Sequence, residues 1–208
     1  MGLWKTFNIR RREDISYYNT AENFDREQFA RNLSHLIREE MEFQGKQGVI
    51  FLCIGTDRST GDSLGPLIGH KLRRRQLRAA VIGTLDRPVH AMNLGIYSRY
   101  IKVNYADCIV VAVDASVGRT EHIGYATLGR GALQPGLGVA KELEAIGDIS
   151  ITGIVGGAGA RDPVMLQSVR LGMVMRMADC ICDGIGLSEL FSDRTGVSGY
   201  RSGVAGRI

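Results

Sequence analysis

Two unbroken apolar runs, residues 49–54 and residues 108–113, constrain the fold more than any other feature of this sequence. Strands buried on both faces of a parallel sheet have this character, whereas strands with one face in water alternate apolar and polar residues. A membrane-spanning helix needs about 18 or more consecutive apolar residues, and each of these runs has six. We therefore expect two central strands of one sheet and no transmembrane segment.

A helix is predicted over residues 25–42, before the first of these strands. Asp25 is a suitable N-cap, and Phe24 and Phe29 occupy the positions of a hydrophobic staple. Such a helix has one apolar stripe, which must be covered either by the rest of its own domain or by another copy of the chain in a homo-oligomer. The stripe continues at helical spacing through Leu33, Leu36, Ile37 and Met41.

The remaining predicted elements alternate between helix and strand. Pro163 suits the first turn of its helix, where a missing N–H costs nothing. Alternation of this kind indicates an α/β three-layer sandwich around a mainly parallel sheet. Helices are predicted over about residues 63–75, 91–105 and 163–182, and strands over about residues 80–84, 123–128 and 149–155.

Length and composition indicate a single domain. The chain has 208 residues, of which 44% are hydrophobic and 23% charged, which suits one medium-sized globular domain. We assign residues 1–22 to an N-terminal arm and residues 23–191 to the domain. Residues 192–208 form a predicted flexible tail, because they contain four glycines and no periodicity. No apolar segment typical of a secretion signal follows Met1, so we expect a cytoplasmic protein without membrane attachment.

The net charge of +4 arises mostly from a basic cluster near the end of the second predicted helix. A basic run at that position complements the helix dipole and is usually a solvated face. No aromatic residues are interleaved with it for stacking on bases, so nucleic-acid binding is disfavoured. The cluster consists of Lys71, Arg73, Arg74, Arg75 and Arg78.

The four cysteines, Cys53, Cys108, Cys180 and Cys182, lack the spacing of zinc or thioredoxin motifs. In a helix, the Cys-x-Cys pair would direct its two thiols about 200° apart, which does not suit one tetrahedral metal ion. We therefore predict buried, reduced thiols, and neither a metal ion nor another cofactor.

Acidic residues follow both apolar strands. The first strand leads into the glycine-rich segment GTDRSTGDSLGP, residues 55–66, and the second ends directly in Asp114. The glycines fit neither the dinucleotide fingerprint nor the P-loop, and Asp62 stands in place of the phosphate-binding lysine. A carboxylate at a helix N-terminus would repel a phosphate held there, so nucleotide binding is disfavoured.

Asp62 and Asp114 are the predicted catalytic residues. Ligands of open α/β sheets bind beyond the carboxyl ends of the strands. An aspartate in that position is costly to bury unless it is paired, bound to a metal or sharing a proton. Two such carboxyls from neighbouring strand ends could share one proton and act as acid and base on a water molecule. The alternative for Asp62 alone is an N-cap of the second predicted helix.

Three further residues are candidates to line the same cleft. Asp57 is more simply interpreted as a turn former that accepts backbone N–H groups. Arg58 is equally compatible with a forked ion pair to a carboxylate and with a solvent-facing position. His90, in the segment RPVH, has an ionisable ring suited to site chemistry, although a lone histidine is more often packed or exposed.

At these residues the sequence resembles the YyaC-type sporulation proteins of endospore-forming bacteria, the DUF1256 family. These proteins resemble the spore germination protease and, more distantly, the hydrogenase maturation endopeptidases. The resemblance therefore implies a phosphorylase/hydrolase-like α/β sandwich. It covers about residues 49–186 and rests on GTDRSTGDSLGP at 55–66, VDA at 113–115 and QPGLGV at 134–139.

The resemblance implies a spore-associated endopeptidase that uses two aspartates. In this sequence they are Asp62, which precedes SLGP, and Asp114, in VDA. Gly136 and Gly138 of the QPGLGV loop would form part of the cleft wall. The implied substrates are proteins or peptides, including small acid-soluble spore proteins, in the cytoplasm of the forespore or the spore core.

Two further expectations follow from the resemblance. The hydrogenase enzymes bind nickel through two acidic residues and a later histidine, but His122, which follows Asp114 here, is much closer in sequence than their spacing. No three-ligand metal site is therefore predicted. The alternative to an enzyme is a non-catalytic sporulation protein on the same fold, which would hold a partner through the N-terminal helix or the basic cluster.

Overall fold

The two apolar runs of the sequence lie side by side at the centre of one sheet. A computed structural model describes residues 15–75, 77–135, 144–157 and 166–194. Its helices are α1 (Arg26–Gln44), α2 (Leu64–Arg74), α3 (Leu94–Asn104) and α4 (Leu171–Arg194). Its strands are β1 (Ser16–Asn19), β2 (Gly48–Cys53), β3 (Ala80–Ile82), β4 (Cys108–Gly118), β5 (Tyr125–Arg130) and β6 (Ile149–Gly157). Short 3₁₀ turns occupy Gly61–Ser63 and Thr120–His122.

The sheet is mixed, and within the described residues its strand order is β1-β5-β6-β4-β2-β3. β2 pairs in parallel with both β3 and β4, and β4 pairs in parallel with β6. β5 is antiparallel to both of its neighbours, so among the described strands it alone opposes the common direction. The prediction of an α/β fold around a mainly parallel sheet is confirmed.

Helices cover the sheet on both faces. On one face, α1, α2 and α4 pack against alternate residues of the central strands, including Phe51 and Val111. On the other face, α3 packs through Leu94 and Ile101 against the intervening residues, among them Leu52. Each fully buried side chain of this size contributes about 1.5–3 kcal/mol. Because both faces of β2 and β4 are covered, these strands are apolar throughout.

α1 begins where the sequence predicts. The Asp25 carboxylate accepts a hydrogen bond of 2.9 Å from the Gln28 N–H, and the ring centroids of Phe24 and Phe29 lie 5.5 Å apart. Gly45 closes the helix in the left-handed region, at φ 67°. The apolar stripe of α1 lies inside the core that α1 shares with α4 and the sheet, and Phe29 has 0% of its surface exposed. The domain itself therefore covers this stripe, which gives no reason to expect an oligomer.

Two strands differ from the sequence-based prediction. β1 lies within the predicted N-terminal arm and pairs with β5 at the edge of the sheet, although its sequence, SYYN, has no apolar run that would indicate a strand. β4 continues to Gly118, beyond the predicted strand end at residue 113. The prediction ended there because the apolar run ends there, whereas polar and apolar residues alternate in the extension. In this extension Asp114 and Ser116 are partly exposed, whereas Ala115 between them is buried.

α4 is longer at its carboxyl end than predicted. It continues past residue 182 into the predicted tail, and Ile185 is still fully buried. The predicted helix start at Pro163 lies outside the described residues, as do residues 1–14 of the arm and residues 195–208 of the tail. Neither α4 nor any other helix in the described ranges combines the length and hydrophobicity of a membrane span.

The basic cluster is only partly solvated, which corrects the sequence-based interpretation. Lys71 Nζ lies 2.7 Å from an Asp179 oxygen, and an Arg75 guanidinium nitrogen lies 2.5 Å from an Asp183 oxygen. Arg73 of the same cluster is exposed. Part of the cluster thus joins α2 to α4 instead of forming an open basic surface.

The cysteines are free thiols, and burial was predicted correctly for two of them. Cys53 and Cys182 are buried, whereas Cys108 and Cys180 are partly exposed. Burial raises the pKa of the Cys182 thiol to about 12. A thiol with so high a pKa is protonated and unreactive at neutral pH.

Candidate active site

Close backbone packing at the end of β2 positions the glycine-rich segment. A Cβ on Gly55 would lie 2.1 Å from the Asp62 carbonyl oxygen, and a Cβ on Gly65 would lie 1.9 Å from the Ile54 carbonyl oxygen. Gly55 also has φ 141°, which residues with side chains rarely adopt. These contacts hold the 3₁₀ turn of Asp62 and the start of α2 directly against the end of the strand.

Asp62 occupies the middle of that 3₁₀ turn, and its side chain is partly buried. The N-cap position of α2 belongs to the next residue, Ser63. The N-cap alternative for Asp62 is therefore wrong. Helix capping does not explain why a carboxyl group lies at this strand end.

Asp114 lies on β4, immediately beyond the last residue of β4 that pairs with β2. Its partner in the ladder with β6 is Thr152. Its Oδ1 accepts a hydrogen bond of 2.8 Å from the N–H of the next residue, Ala115. Ala112, two residues earlier and on the same face of β4, is buried in the core under α3. The Asp114 carboxyl thus stands where the apolar part of the sheet ends.

Asp62 and Asp114 line one cleft of about 660 Å³ at the carboxyl ends of β2 and β4. The structure therefore brings together two residues that are far apart in the sequence. The lining also includes the other described candidates, Asp57, Arg58 and His90, and Pro135 of the QPGLGV loop. Gly136 and Gly138, the remaining candidates, lie outside the described residues.

Part of the cleft lining is apolar, and sequence reasoning missed it. Leu85, Pro88, Ala91 and Met92 line the cleft from the segment that connects β3 to α3. Met92 is 90% exposed, so its side chain is accessible to a ligand in the cleft. The signal that could have indicated this segment is its position beyond the carboxyl end of a third strand.

Burial raises the pKa of both carboxyl groups. For Asp62, the opposing influence is the buried hydroxyl of Ser59. For Asp114, burial raises the pKa well above its ordinary value, the Ala115 N–H opposes this shift, and the charge of Asp62 adds to it. No lysine or arginine contributes to either shift. The charge of Asp62 therefore acts on the ionisation of Asp114, as expected for two carboxyls that share a proton.

Asp57 and Arg58 are exposed at the rim of the cleft. The hydroxyl of Thr56 accepts a hydrogen bond of 3.3 Å from the Arg58 N–H. The turn-forming role expected of Asp57 is thus filled by its neighbour. The Arg58 side chain is exposed, and among the described residues it forms no ion pair, so a forked ion pair to a carboxylate stays a prediction.

Hydrogen bonds fix the ring of His90. Its backbone N–H donates to Asn93 Oδ1 at 2.8 Å, and its Nδ1 accepts from the Met92 N–H at 3.3 Å. A neutral imidazole whose Nδ1 accepts a hydrogen bond carries its proton on Nε2. His90 can therefore offer one N–H donor to a ligand in the cleft.

Replacement of Asp114 with asparagine is expected to stabilise the fold at neutral pH. The pKa of Asp114 is raised in the folded state, so its contribution to stability is complete below the unfolded-state pKa and is lost as the pH rises through the folded-state pKa. Asparagine keeps the shape and the acceptor for the Ala115 N–H but carries no charge. Urea denaturation at about pH 7.5 should show a gain of about 1.4 kcal/mol for each unit of pKa shift. The gain should vanish at about pH 3, and a gain that is independent of pH would contradict this explanation.

The described residues do not fit a three-ligand metal site. They contain no group of three His, Cys, Asp or Glu side chains that could hold a metal ion. The His122 ring lies 4.8 Å from the ring of Tyr17 and 5.4 Å from that of Tyr125, and it lines a second cavity instead of the cleft.

Comparison with known proteins identifies the family. A family model described as "Protein of unknown function (DUF1256)" matches residues 16–184. The "Uncharacterized protein YyaC" of Bacillus subtilis (strain 168) is 41% identical over 161 residues, which cover 77% of this chain and 78% of that protein. A [NiFe] hydrogenase maturation protease, HycI from Thermococcus kodakarensis KOD1, aligns in structure at a TM-score of 0.44 with 19% identity, over 74% of this chain and 99% of that one. The family model and the B. subtilis relative confirm the resemblance seen in the sequence: the chain belongs to the DUF1256 family.

Proposed function

We propose that this protein hydrolyses peptide bonds with Asp62 and Asp114 as a proton-sharing pair. The observation that carries the proposal is their meeting in one cleft, each with a raised pKa and neither paired with a cation in the described residues. A structural ion pair would lower these pKa values instead. Raised, mutually dependent carboxyl pKa values are typical of acid and base pairs in hydrolases.

The environments of the two carboxyls assign their roles. Burial and the charge of Asp62 both raise the pKa of Asp114, which is raised more than that of Asp62. Asp114 therefore holds the shared proton. Asp62 is the ionised partner, and the Ser59 hydroxyl stabilises its charge. Asp62 thus acts as the general base and Asp114 as the general acid.

The reaction then proceeds in two balanced steps. Asp62 removes a proton from water while the water oxygen attacks the carbonyl carbon of the scissile amide, and Asp114 gives its proton to the carbonyl oxygen. In the second step, the proton held by Asp62 passes to the amide nitrogen, the C–N bond breaks, and Asp114 recovers its proton as the new carboxyl group forms. One water molecule is consumed, and neither a redox partner nor a metal ion is needed.

His90 contributes a hydrogen bond to this mechanism. Its Nε2–H is available because Nδ1 is already an acceptor for the Met92 N–H. We place this donor on the carbonyl oxygen of the scissile bond, where negative charge develops.

Replacing His90 with alanine is expected to lower kcat about 100-fold, the usual effect of losing one such donor. His90→Gln retains an N–H donor at a similar distance from the backbone and should recover at least about a tenth of the activity. Steady-state kinetics of the two variants test this role. Equal losses in both variants would show that His90 shapes the segment between β3 and α3 without acting on the substrate.

The substrates that we propose are spore proteins, in particular small acid-soluble spore proteins, degraded in the forespore or spore core. The support is the sequence resemblance of residues 55–66 and 113–115 to the germination protease. The non-catalytic alternative has less support. It relied on the N-terminal helix and the basic cluster, yet α1 is packed inside the domain and two cluster residues pair with α4.

An activity assay with two kinds of protein substrate tests the proposal. The purified protein is incubated with an acid-soluble extract of spores and, separately, with the unfolded protein β-casein, and new N-termini are identified by mass spectrometry. Cleavage that depends on Asp62 and Asp114 supports the peptidase. Cleavage of β-casein without cleavage of spore proteins would retain the chemistry and reject the spore substrates. No cleavage of either at any pH from about 4 to 8 would reject the peptidase.

A further inference from the structure

The sheet has an open edge inside the cleft. β4 pairs with β6 from Val111 to its end at Gly118. On its other side, β4 pairs with β2 only as far as Val113. Residues 114–118 of β4 therefore lack a strand partner on the side toward β2 within the described part of the chain. The open stretch begins at Asp114 itself.

The backbone groups that face this open side can be identified from the ladder. The Val113 carbonyl accepts a hydrogen bond of 2.7 Å from the Ile54 N–H, so Val113 faces β2. Alternate residues of a strand face the same side, and the side chains of Val113, Ala115 and Val117 all pack in the same core. The alternation of β4 therefore continues through the register shift against β6 between Ser116 and Val117, and the backbone groups of Ala115 and Val117 face the open edge. The Ala115 N–H is already bonded to Asp114 Oδ1. The Ala115 carbonyl and both polar backbone groups of Val117 therefore have no ladder partner among the described strands.

Two cavities touch successive residues of β4. The cleft that holds the carboxyl pair reaches Asp114 and Ala115 and also contains residues that follow β2, so it borders the open edge. A second cavity of about 650 Å³ touches Ser116, Val117 and Gly118 but extends over β6 and β5, on the side of β4 away from β2. The open edge is therefore reached from the first cavity.

The second cavity has a polar floor. Ser116 Oγ lies 3.1 Å from Thr152 Oγ1, and Thr152 Oγ1 lies 2.7 Å from Thr127 Oγ1, so a row of hydroxyls crosses three strands. All three residues line the cavity. Hydroxyls can both donate and accept, so this floor suits polar groups of a ligand, whereas the first cavity, which borders the open edge, offers the apolar residues that include Met92.

We propose that the polypeptide substrate binds in extended form as an added strand along residues 115–118 of β4. This inference rests on the proposed function and specifies how the same site recognises its substrate. The substrate main chain pairs with Ala115 and Val117, and its scissile bond lies next to Asp114 in the cleft that holds the carboxyl pair. Main-chain pairing of this kind recognises any unfolded segment, with selectivity left to the side-chain pockets.

Binding is tested without turnover, in the full-length Asp62→Asn variant. The probe is a set of 12-residue peptides from β-casein, chosen because main-chain pairing requires no particular sequence. Hydrogen exchange followed by NMR should show that peptide addition slows the exchange of the Val117 amide proton at least about tenfold. This is the effect expected of one hydrogen bond of ordinary strength. N-methylation of a bound peptide at successive residues should weaken binding at every second position, because only alternate N–H groups face β4.

A pair of substitutions tests the same edge in the active protein. Val117→Pro removes the N–H that faces the cleft, and Val117→Ala removes only the side chain. Val117→Pro should raise the KM for β-casein about tenfold relative to Val117→Ala. Circular dichroism establishes that both variants are folded. If Val117→Pro does not fold, the peptide-binding experiment alone tests strand addition.

The outcomes separate this inference from the proposed function. Peptide binding with a protected Val117 amide supports strand addition, whether or not any bond is cut. Cleavage of β-casein with no protection at Val117 and no alternation among N-methylated peptides overturns strand addition and leaves the peptidase intact. Absence of peptide binding at about millimolar concentration also overturns strand addition, because recognition of the main chain would not depend on sequence.

Discussion

Asp114→Asn and Asp62→Asn are each expected to lower kcat/KM for protein substrates about a thousand-fold or more. General acid or base catalysis by one group contributes about 100 to 10,000-fold. The two carboxyls here work as a pair, so the loss of either one disables both. The double variant should therefore be little worse than each single variant. Loss of cleavage is measured with the β-casein assay, on variants that circular dichroism shows to be folded.

The matched control is Asp107→Asn, the same chemical change at an exposed aspartate before the amino end of β4, at the opposite end of that strand from the cleft. It should leave kcat/KM within about twofold of the unmodified protein, since exposed substitutions away from a site have small effects. Full activity in either Asp62→Asn or Asp114→Asn would refute the proton-sharing mechanism. The pH profile supplies a second test. Activity requires Asp62 ionised and Asp114 protonated, so it should fall on both sides of an optimum, with both limbs above the ordinary pKa of aspartate.

Gly65→Ala is expected to destabilise the fold strongly. Its Cβ would lie 1.9 Å from the Ile54 carbonyl oxygen and 2.8 Å from the Ile54 nitrogen. These are backbone atoms at the end of a central strand, so they cannot turn aside as a flexible side chain can. We expect a loss of about 3 kcal/mol or more in the free energy of unfolding, which is at the upper end of the range for overpacked substitutions. The start of α2 would also move away from β2 and take Asp62 with it, so activity should be lost in any folded fraction.

Gly95→Ala and Gly172→Ala provide controls of identical chemistry. Both glycines are helical, and a Cβ on either would meet nothing within 4 Å. These variants should match or exceed the stability of the unmodified protein by up to about 1 kcal/mol, because alanine restricts the unfolded chain. Urea denaturation compares all three. If the free energy of unfolding of Gly65→Ala were within about 1 kcal/mol of these controls, the contact between α2 and β2 would be able to accommodate a Cβ at position 65, which contradicts the prediction.

Sequence reasoning was most successful where local physics decides the structure. Asp25, Phe24 and Gly45 define the ends of α1 through interactions within a few residues. It failed where a distant element decides. β1 is a strand only because β5 offers it a partner more than 100 residues away, and Lys71 is paired because α4 brings Asp179 beside it.

The same distinction between local and distant causes applies to the candidate site. That Asp62 and Asp114 follow buried strands is visible in the sequence, and so is the glycine that lets α2 approach β2. Their place in one cleft, the apolar residues around Met92 and the open edge of β4 are not visible there, since each depends on strand order and on where a partner strand ends.

The sequence by itself determined the central strands, the first helix and the acids that follow the strands, because hydrophobic periodicity and helix caps act over a few neighbouring residues. Only the tertiary structure decided that the two acids would share a cleft, where burial raises the pKa of both and the charge of Asp62 raises that of Asp114 further. Desolvation and charge coupling act through space, so they depend on which groups the folded sheet brings together and not on how far apart those groups lie along the chain.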